Sequence, residues 1–157
     1  MKTNRSNNGA AALLSWSAVG IVMLAIFYLS SQPDVQSDRW SKRVTKVIAD
    51  TVKSVMPQED ISIDRWNRVL RKHAHFIAYF VLGISVFHAL RNSGVSCAKG
   101  TGAALVICVL YAVSDECHQW FVPGRGAQLQ DVVIDGVGSM AGIALYGIAG
   151  RFWQPSR

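Results

Sequence analysis

Four long, largely apolar segments alternate with polar connections along the chain. They cover about residues 10–31, 73–90, 101–120 and 131–150. A helix needs about 20 apolar residues to cross the hydrocarbon core of a bilayer, and each segment is about that long. The pattern therefore predicts an all-α fold, an integral membrane four-helix bundle, in a single transmembrane domain over residues 10–150.

The connection between the first two spans has a different pattern. At its start, Trp40, Val44, Val47 and Ile48 recur at steps of three or four residues, with Lys and Arg on the other side. This is the periodicity of an amphipathic helix that is too polar to span. We expect an interfacial helical segment over about 38–72, lying in the membrane interface, with a lid packed on the bundle as the alternative. Two polar termini, a disordered 1–9 and a tail at 151–157, complete the chain.

Composition agrees with a membrane protein. Half of the 157 residues are hydrophobic, 17% are charged, and the net charge is +6. Basic residues that flank spans meet anionic lipid headgroups, so we expect membrane lipid rather than nucleic acid as the partner. Three cysteines without CxxC spacing indicate neither a disulfide framework nor a zinc cluster. Protein partners are not indicated.

Counting the spans places the unusual polar residues together. In an up-down bundle of four spans, the end of the first, the start of the second, the end of the third and the start of the fourth share one membrane face. We call this the motif face. Short segments on the opposite face carry six Lys and Arg, whereas the short connection on the motif face carries one, although the long 34–72 connection carries nine and opposes this bias. The positive-inside rule then predicts termini in the cytoplasm and the motif face outside.

Candidate functional residues lie at these ends with helical spacing. The candidate set is Arg71, Lys72, His75, Tyr79, Asp115, Glu116, His118, Gln119, Arg125, Asp131 and Asp135. Asp115 and Gln119 share a helix face with His118 beside them, whereas Glu116 points about 100° away. Polar faces near membrane depth should point into the bundle, where they can pair.

Three interpretations fit this set. Arg71, Lys72 and Arg125 could hold an anionic headgroup such as a lipid phosphate. Asp115, Glu116, His75 or His118 would then be the candidates for acid–base catalysis. A metal bound by His75, Glu116, His118 and an aspartate is an alternative, but no HExxH-type signature is present, so we predict no metal and no cofactor. The structural alternative is a buried network in which the arginines pair with the aspartates.

Three stretches carry a resemblance to VanZ-like membrane proteins, a family named after an accessory teicoplanin-resistance protein. They are SSQP at 30–33, RKHAHFIAYFVLG at 71–83 and YAVSDECHQWFVPGRGAQLQDVVIDGVGSMAG at 111–142. Their order and spacing resemble those of the family. One departure is Ala78, where the family often has glutamate before the tyrosine.

The resemblance implies family-typical roles for the eleven candidate residues, but it supplies no reaction. It implies a small multi-pass protein, which we expect in a bacterial cytoplasmic membrane. Our hypothesis is a polar pocket that recognises an anionic envelope component, either lipid-linked or a cell-wall precursor, with an accessory role in glycopeptide tolerance as a further implication. The alternatives are a membrane enzyme acting on a lipid phosphate or envelope substrate, and a structural or assembly subunit without a ligand.

Overall fold

Four long helices form the part of the chain that the computed structural model describes, residues 3–32, 63–123 and 126–153. They are α1 (Thr3–Ser30), α2 (Ile63–Asn92), α3 (Cys97–Gln119) and α4 (Leu129–Trp153). Each contains a segment of 22 to 24 residues that is long and apolar enough to cross a membrane. The predicted all-α fold with four membrane spans is confirmed.

All four helices extend beyond the predicted spans, and α1 and α2 do so by the most residues. α1 begins at Thr3, so residues 3–9 are helical where we predicted disorder. α2 begins at Ile63, so residues 63–72 continue into the second span instead of closing a separate interfacial segment. No proline or glycine interrupts 63–82, and 30 residues of helix reach about 45 Å, well beyond the hydrocarbon core. The rest of that predicted segment, residues 38–62, lies outside the described residues.

α2 lies at the centre of the bundle. It packs against each of the other three helices, whereas α1 packs mainly against α2. The buried core between the helices includes Val19, Ile26, Leu82, Val86, Phe87, Ala104, Cys108 and Ile143. Large apolar side chains such as Leu14, Leu24 and Leu110 instead point outward and are more than 60% exposed. This outward apolar surface is what lipid contact requires of a multi-span protein.

Glycines bring α2 and α4 into close contact. A β-carbon at Gly142 would overlap the carbonyl oxygen of Phe80, and one at Gly138 would lie 2.6 Å from the carbonyl oxygen of Phe76. The sequence predicted this close approach from the spacing of Gly138 and Gly142, because small residues four apart let membrane helices pack backbone to backbone. On α2, Gly83 faces the backbone of Ser139 in the same way.

A tight turn joins α2 to α3 on the face opposite the motif face. Gly94 has φ +82, the left-handed conformation that favours glycine. Its N–H donates to Arg91 O, and the N–H of Val95 donates to Leu90 O, which together close the C-terminus of α2 in a Schellman motif. The connection is therefore shorter than the predicted polar stretch 91–100.

Gly142→Ala should destabilise the bundle, because the added methyl group meets a backbone carbonyl that cannot move away alone. We expect a loss of about 1–3 kcal/mol, the usual cost of overpacking. Thermal unfolding of the purified protein in detergent measures the change. Gly102→Ala is the matched control, since nothing lies within 4 Å of its β-carbon position. Equal melting temperatures for the two variants would contradict this packing.

Candidate functional site

Contacts between helix ends confirm that the polar residues share one face. Ser30, at the end of α1, donates a hydrogen bond of 2.8 Å to Asp115 near the end of α3. Lys72 Nζ lies 3.4 Å from Asp131 Oδ1, which links the membrane-entry ends of α2 and α4. The four ends that span counting placed together therefore meet in one group of side chains, which we call the polar cluster. Its described members are Ser30, Arg71, Lys72, His75, Tyr79, Asp115, Glu116, His118, Gln119, Asp131 and Asp135.

Asp115 is one of the residues through which α1 and α3 are joined. Its side chain is buried, and its Oδ2 accepts hydrogen bonds from Ser30 Oγ at 2.8 Å and Gln119 Nε2 at 3.2 Å. Gln119 is also buried, so the predicted pairing of this i, i+4 face is confirmed. The second oxygen, Oδ1, is buried without a hydrogen-bond partner in the described part of the chain.

Glu116 is buried as well, although helical geometry turns it away from Asp115. Its Oε2 accepts a hydrogen bond of 2.9 Å from the backbone N–H of Gln128, in the connection that leads to α4. That connection covers the side of α3 that the helix alone would leave open. Glu116 Oε1 has no partner among the described residues.

Asp135 and Tyr79 form the deepest part of the polar cluster, and both are fully buried. His75 Nδ1 lies 3.7 Å from Asp135 Oδ2, a distance too long for a hydrogen bond. The two carboxylate oxygens of Asp135 and the hydroxyl of Tyr79 have no hydrogen-bond partner within the described ranges. The Tyr79 ring lies between His75, at 6.5 Å between ring centroids, and Tyr111, at 6.2 Å.

The basic residues lie at the rim of the polar cluster. The side chain of Lys72 is 35% exposed and that of its partner Asp131 is 26% exposed, so water reaches this ion pair and weakens it. Arg71 is half-buried beside Lys72. Arg125, the third predicted basic residue, lies outside the described residues.

Electrostatic contacts show that the acids form one group. Glu116 is close enough to interact with Asp115, Asp131 and Asp135. Tyr79 is likewise within range of Asp115, Asp135 and Glu116. α3 and α4 therefore bring four carboxylates within electrostatic range of one another, and α2 adds Tyr79 in the interior and the basic Lys72 at the more exposed edge.

His118 lies at the side of this group that faces α1. Its ring packs on that of Phe27, with 4.4 Å between centroids, and its Nε2 is buried without a partner in the described structure. His73 points outward instead, as its sequence position indicated. Within residues 3–32, 63–123 and 126–153, no three His, Cys, Asp or Glu side chains are grouped so that they could hold a metal ion.

Sequence reasoning did not select two features that the structure reveals. Ser30 was recognised only as part of SSQP, and its pairing with Asp115 joins positions that are 85 residues apart. The second feature is a polar network at the opposite face, where His88 contacts the Tyr146 hydroxyl and Asn92, and Asn92 donates to Ser15 at 2.7 Å. His88 is not among the candidate residues predicted from the sequence, although its i, i+4 spacing to Asn92 is a usable signal.

The fold and the polar cluster define a multi-pass membrane protein with an acidic group of side chains at one end of its bundle. The family model VanZ/LLP1 matches residues 15–150, which is most of the chain, so the chain belongs to the VanZ/LLP1 family. Comparison with curated proteins and with solved structures gives no match. Family membership confirms the resemblance that the sequence motifs indicated.

Removing the hydroxyl of Ser30 should weaken the attachment of α1 to the bundle. Ser30→Ala takes one of two donors from a buried carboxylate oxygen, which costs about 1–3 kcal/mol. A double-mutant cycle with Asp115→Asn, measured by thermal unfolding in detergent, should give a coupling energy of about 0.5–3 kcal/mol.

Ser17→Ala is the control for this cycle, because the exposed Ser17 hydroxyl donates only to the local carbonyl of Leu13. It should leave stability within about 0.5 kcal/mol of the parent protein. Additive effects of Ser30→Ala and Asp115→Asn would contradict the contact between α1 and α3.

Proposed function

We propose that the polar cluster recognises a membrane-anchored envelope molecule that carries a phosphate group. The observation that supports this most directly is the pairing of a half-exposed basic rim with a buried interior whose acceptors are unsatisfied. Lys72 marks the rim, while Asp115, Glu116 and Asp135 keep unpartnered oxygens inside. Buried polar groups in folded proteins are normally hydrogen-bonded, so acceptors left open at the end of a membrane bundle indicate a ligand.

In a purely structural network, all of these carboxylate oxygens would be hydrogen-bonded or paired with a cation. In such a network the buried carboxylates would pair with basic side chains and fix the register of the helices. Within the described residues Asp135 is fully buried and makes no side-chain hydrogen bond, and its nearest ionisable neighbour, His75, is 3.7 Å away. A buried carboxylate whose described ion-pair partner lies too far away for a hydrogen bond is incompletely satisfied, which favours a binding site over a helix-packing device.

The phosphate would bind at the rim. Lys72 and Arg71 adjoin each other where α2 leaves the membrane, and charge-assisted hydrogen bonds from Lys and Arg are the usual means of holding a phosphate. Within the described residues, Lys72 forms a solvent-accessible pair with Asp131, so a phosphate can replace that carboxylate at low cost. Arg125 is a third candidate from the sequence.

We place the motif face outside and the termini in the cytoplasm, as the distribution of basic residues predicts. The site would then meet molecules of the outer leaflet, including lipid-linked and cell-wall precursors. If binding to this site changed how much of such a precursor the antibiotic can reach, an accessory role in glycopeptide tolerance would follow.

A membrane enzyme that acts on a lipid phosphate is the second candidate. Glu116 Oε1 and His118 Nε2, both without partners among the described residues and two positions apart on α3, favour it, because a carboxylate and an imidazole with open atoms are suited to proton transfer. Incubation of the purified protein with envelope lipid extract separates the two functions. Lipid recovered unchanged supports the binding protein, whereas a product that disappears with Glu116→Gln supports the enzyme.

Lys72→Gln should weaken binding of phosphate-bearing lipid about tenfold or more, since it removes one charge-assisted contact. Native mass spectrometry of the detergent-solubilised protein, titrated with dihexanoyl phosphatidylglycerol, measures the affinity. Lys99→Gln removes the same charge from an exposed position on the opposite face and should have no effect. Equal affinities for both variants would contradict a phosphate contact at Lys72.

Cysteine labelling of intact cells tests the orientation. In a Cys117→Ser background, Gly126→Cys should react with a membrane-impermeant maleimide added from outside, because Gly126 lies in the connection on the motif face. Native Cys97, exposed at the start of α3 on the opposite face, should react only after the cells are permeabilised. The reverse pattern would place the motif face in the cytoplasm.

A further inference from the structure

We propose that the interior of the polar cluster binds an ammonium group, carried by the same molecule whose phosphate binds at the rim. This inference rests on the proposed function and narrows its ligand to a headgroup with a phosphate and a nearby protonated amine. The observations that support it are three buried carboxylates with open oxygens and one buried phenol without a partner among the described residues, all at the same end of the bundle.

The interior of the polar cluster has an excess of carboxylates. Asp115, Glu116 and Asp135 are each at most 4% exposed, and together they present four carboxylate oxygens without hydrogen-bond partners among the described residues. Within the described residues, Asp115 and Glu116 each have one bonded and one open oxygen, and Asp135 has the His75 ion pair at 3.7 Å. Open buried carboxylate oxygens are costly, so they must either hold a proton or meet a donor from a ligand. An anionic group of the ligand at this position would instead be repelled by the negatively charged carboxylates.

The hydroxyl of Tyr79 gives a second, independent indication. It is fully buried, has no partner in the described chain, and lies within electrostatic range of Asp115, Glu116 and Asp135. A phenol normally finds a hydrogen-bond partner when it is buried. A ligand that fills the space between these groups would satisfy the Tyr79 hydroxyl and the carboxylates together.

The kind of cation follows from the donors required. An ammonium group carries three N–H donors and needs only acceptors, which matches a set of open carboxylate oxygens and a phenol oxygen. We therefore assign the cation as an organic ammonium group.

The distance between the rim residues and the interior residues determines how far apart the phosphate and the amine of the headgroup must be. On α2 the step from Lys72 to His75 is one helical turn, and on α4 the step from Asp131 to Asp135 is also one turn. The rim pair and the interior pair are consequently separated by about 5.4 Å along the bundle. A phosphate joined to an amine by a short linker, as in phosphoethanolamine, spans this separation.

Binding of three dihexanoyl phospholipids to the purified protein, followed by native mass spectrometry, tests the proposal. Phosphatidylethanolamine carries a phosphate and an ammonium with N–H donors. Phosphatidylcholine carries a cation without donors, and phosphatidylglycerol carries no cation. Soluble phosphoethanolamine, which lacks acyl chains, is the fourth probe and separates a lipid headgroup from a free phosphoamine.

The ethanolamine lipid should bind the parent protein at least tenfold more tightly than the choline and glycerol lipids. Asp135→Asn and Tyr79→Phe should each remove most of this preference, whereas Ser93→Ala on the opposite face should keep it. If phosphoethanolamine shows the same dependence on Asp135, the ammonium site accepts the headgroup without a membrane anchor. If only the lipid binds, the acyl chains contribute, and the ammonium site stands in either case.

The comparison of lipids in the parent protein stays informative even if a variant does not fold. Equal binding of all three lipids that is lost in Lys72→Gln would overturn the ammonium site and leave the phosphate contact intact. A preference for ethanolamine that depends on Asp135 but not on Lys72 would support the ammonium site and contradict the phosphate contact. Failure of all probes to bind would overturn both.

Discussion

Asp115 and Asp135 carry carboxyl groups that protein, rather than water, surrounds. This desolvation is the constraint on which the rest of the structure depends. Asp115 is accommodated because Ser30 and Gln119 donate to one of its oxygens, and the same contact fixes the end of α1 against α3. Asp135 has no comparable donor in the described chain, so the bundle around it must be stable enough to tolerate it.

That stability comes from close packing rather than from hydrophobic burial against water. Gly138 and Gly142 let the backbone of α4 touch that of α2, where dispersion contacts are densest. The same contact sets the positions of His75 and Tyr79 relative to Asp135, since these residues lie on the two helices within a few residues of the glycine contacts. Packing between α2 and α4 in the middle of the spans thereby positions the side chains of the polar cluster at the end of the bundle.

The coarse fold and the membership of the polar cluster could be predicted from the sequence, because both depend on local quantities. Hydropathy over about 20 residues defines each span, and alternation of direction alone places the polar ends together. The continuity of α2 through residues 63–72 was not predicted, since a change from polar to apolar composition does not by itself break a helix. Ser30, His88 and Tyr146 could not be paired correctly either, because their partners lie far away along the chain and each residue alone has an ordinary explanation.

The distribution of charge links this fold to its proposed role in the envelope. Basic groups at the rim and open acceptors inside suit a headgroup that enters from the membrane interface. The most direct measurement is an experimental structure of the protein with dihexanoyl phosphatidylethanolamine. We predict density for the ammonium group of the lipid against Asp135, Glu116 and Tyr79, with the phosphate at Lys72. Carboxylates saturated by side chains of the protein itself, with the lipid headgroup elsewhere, would contradict it.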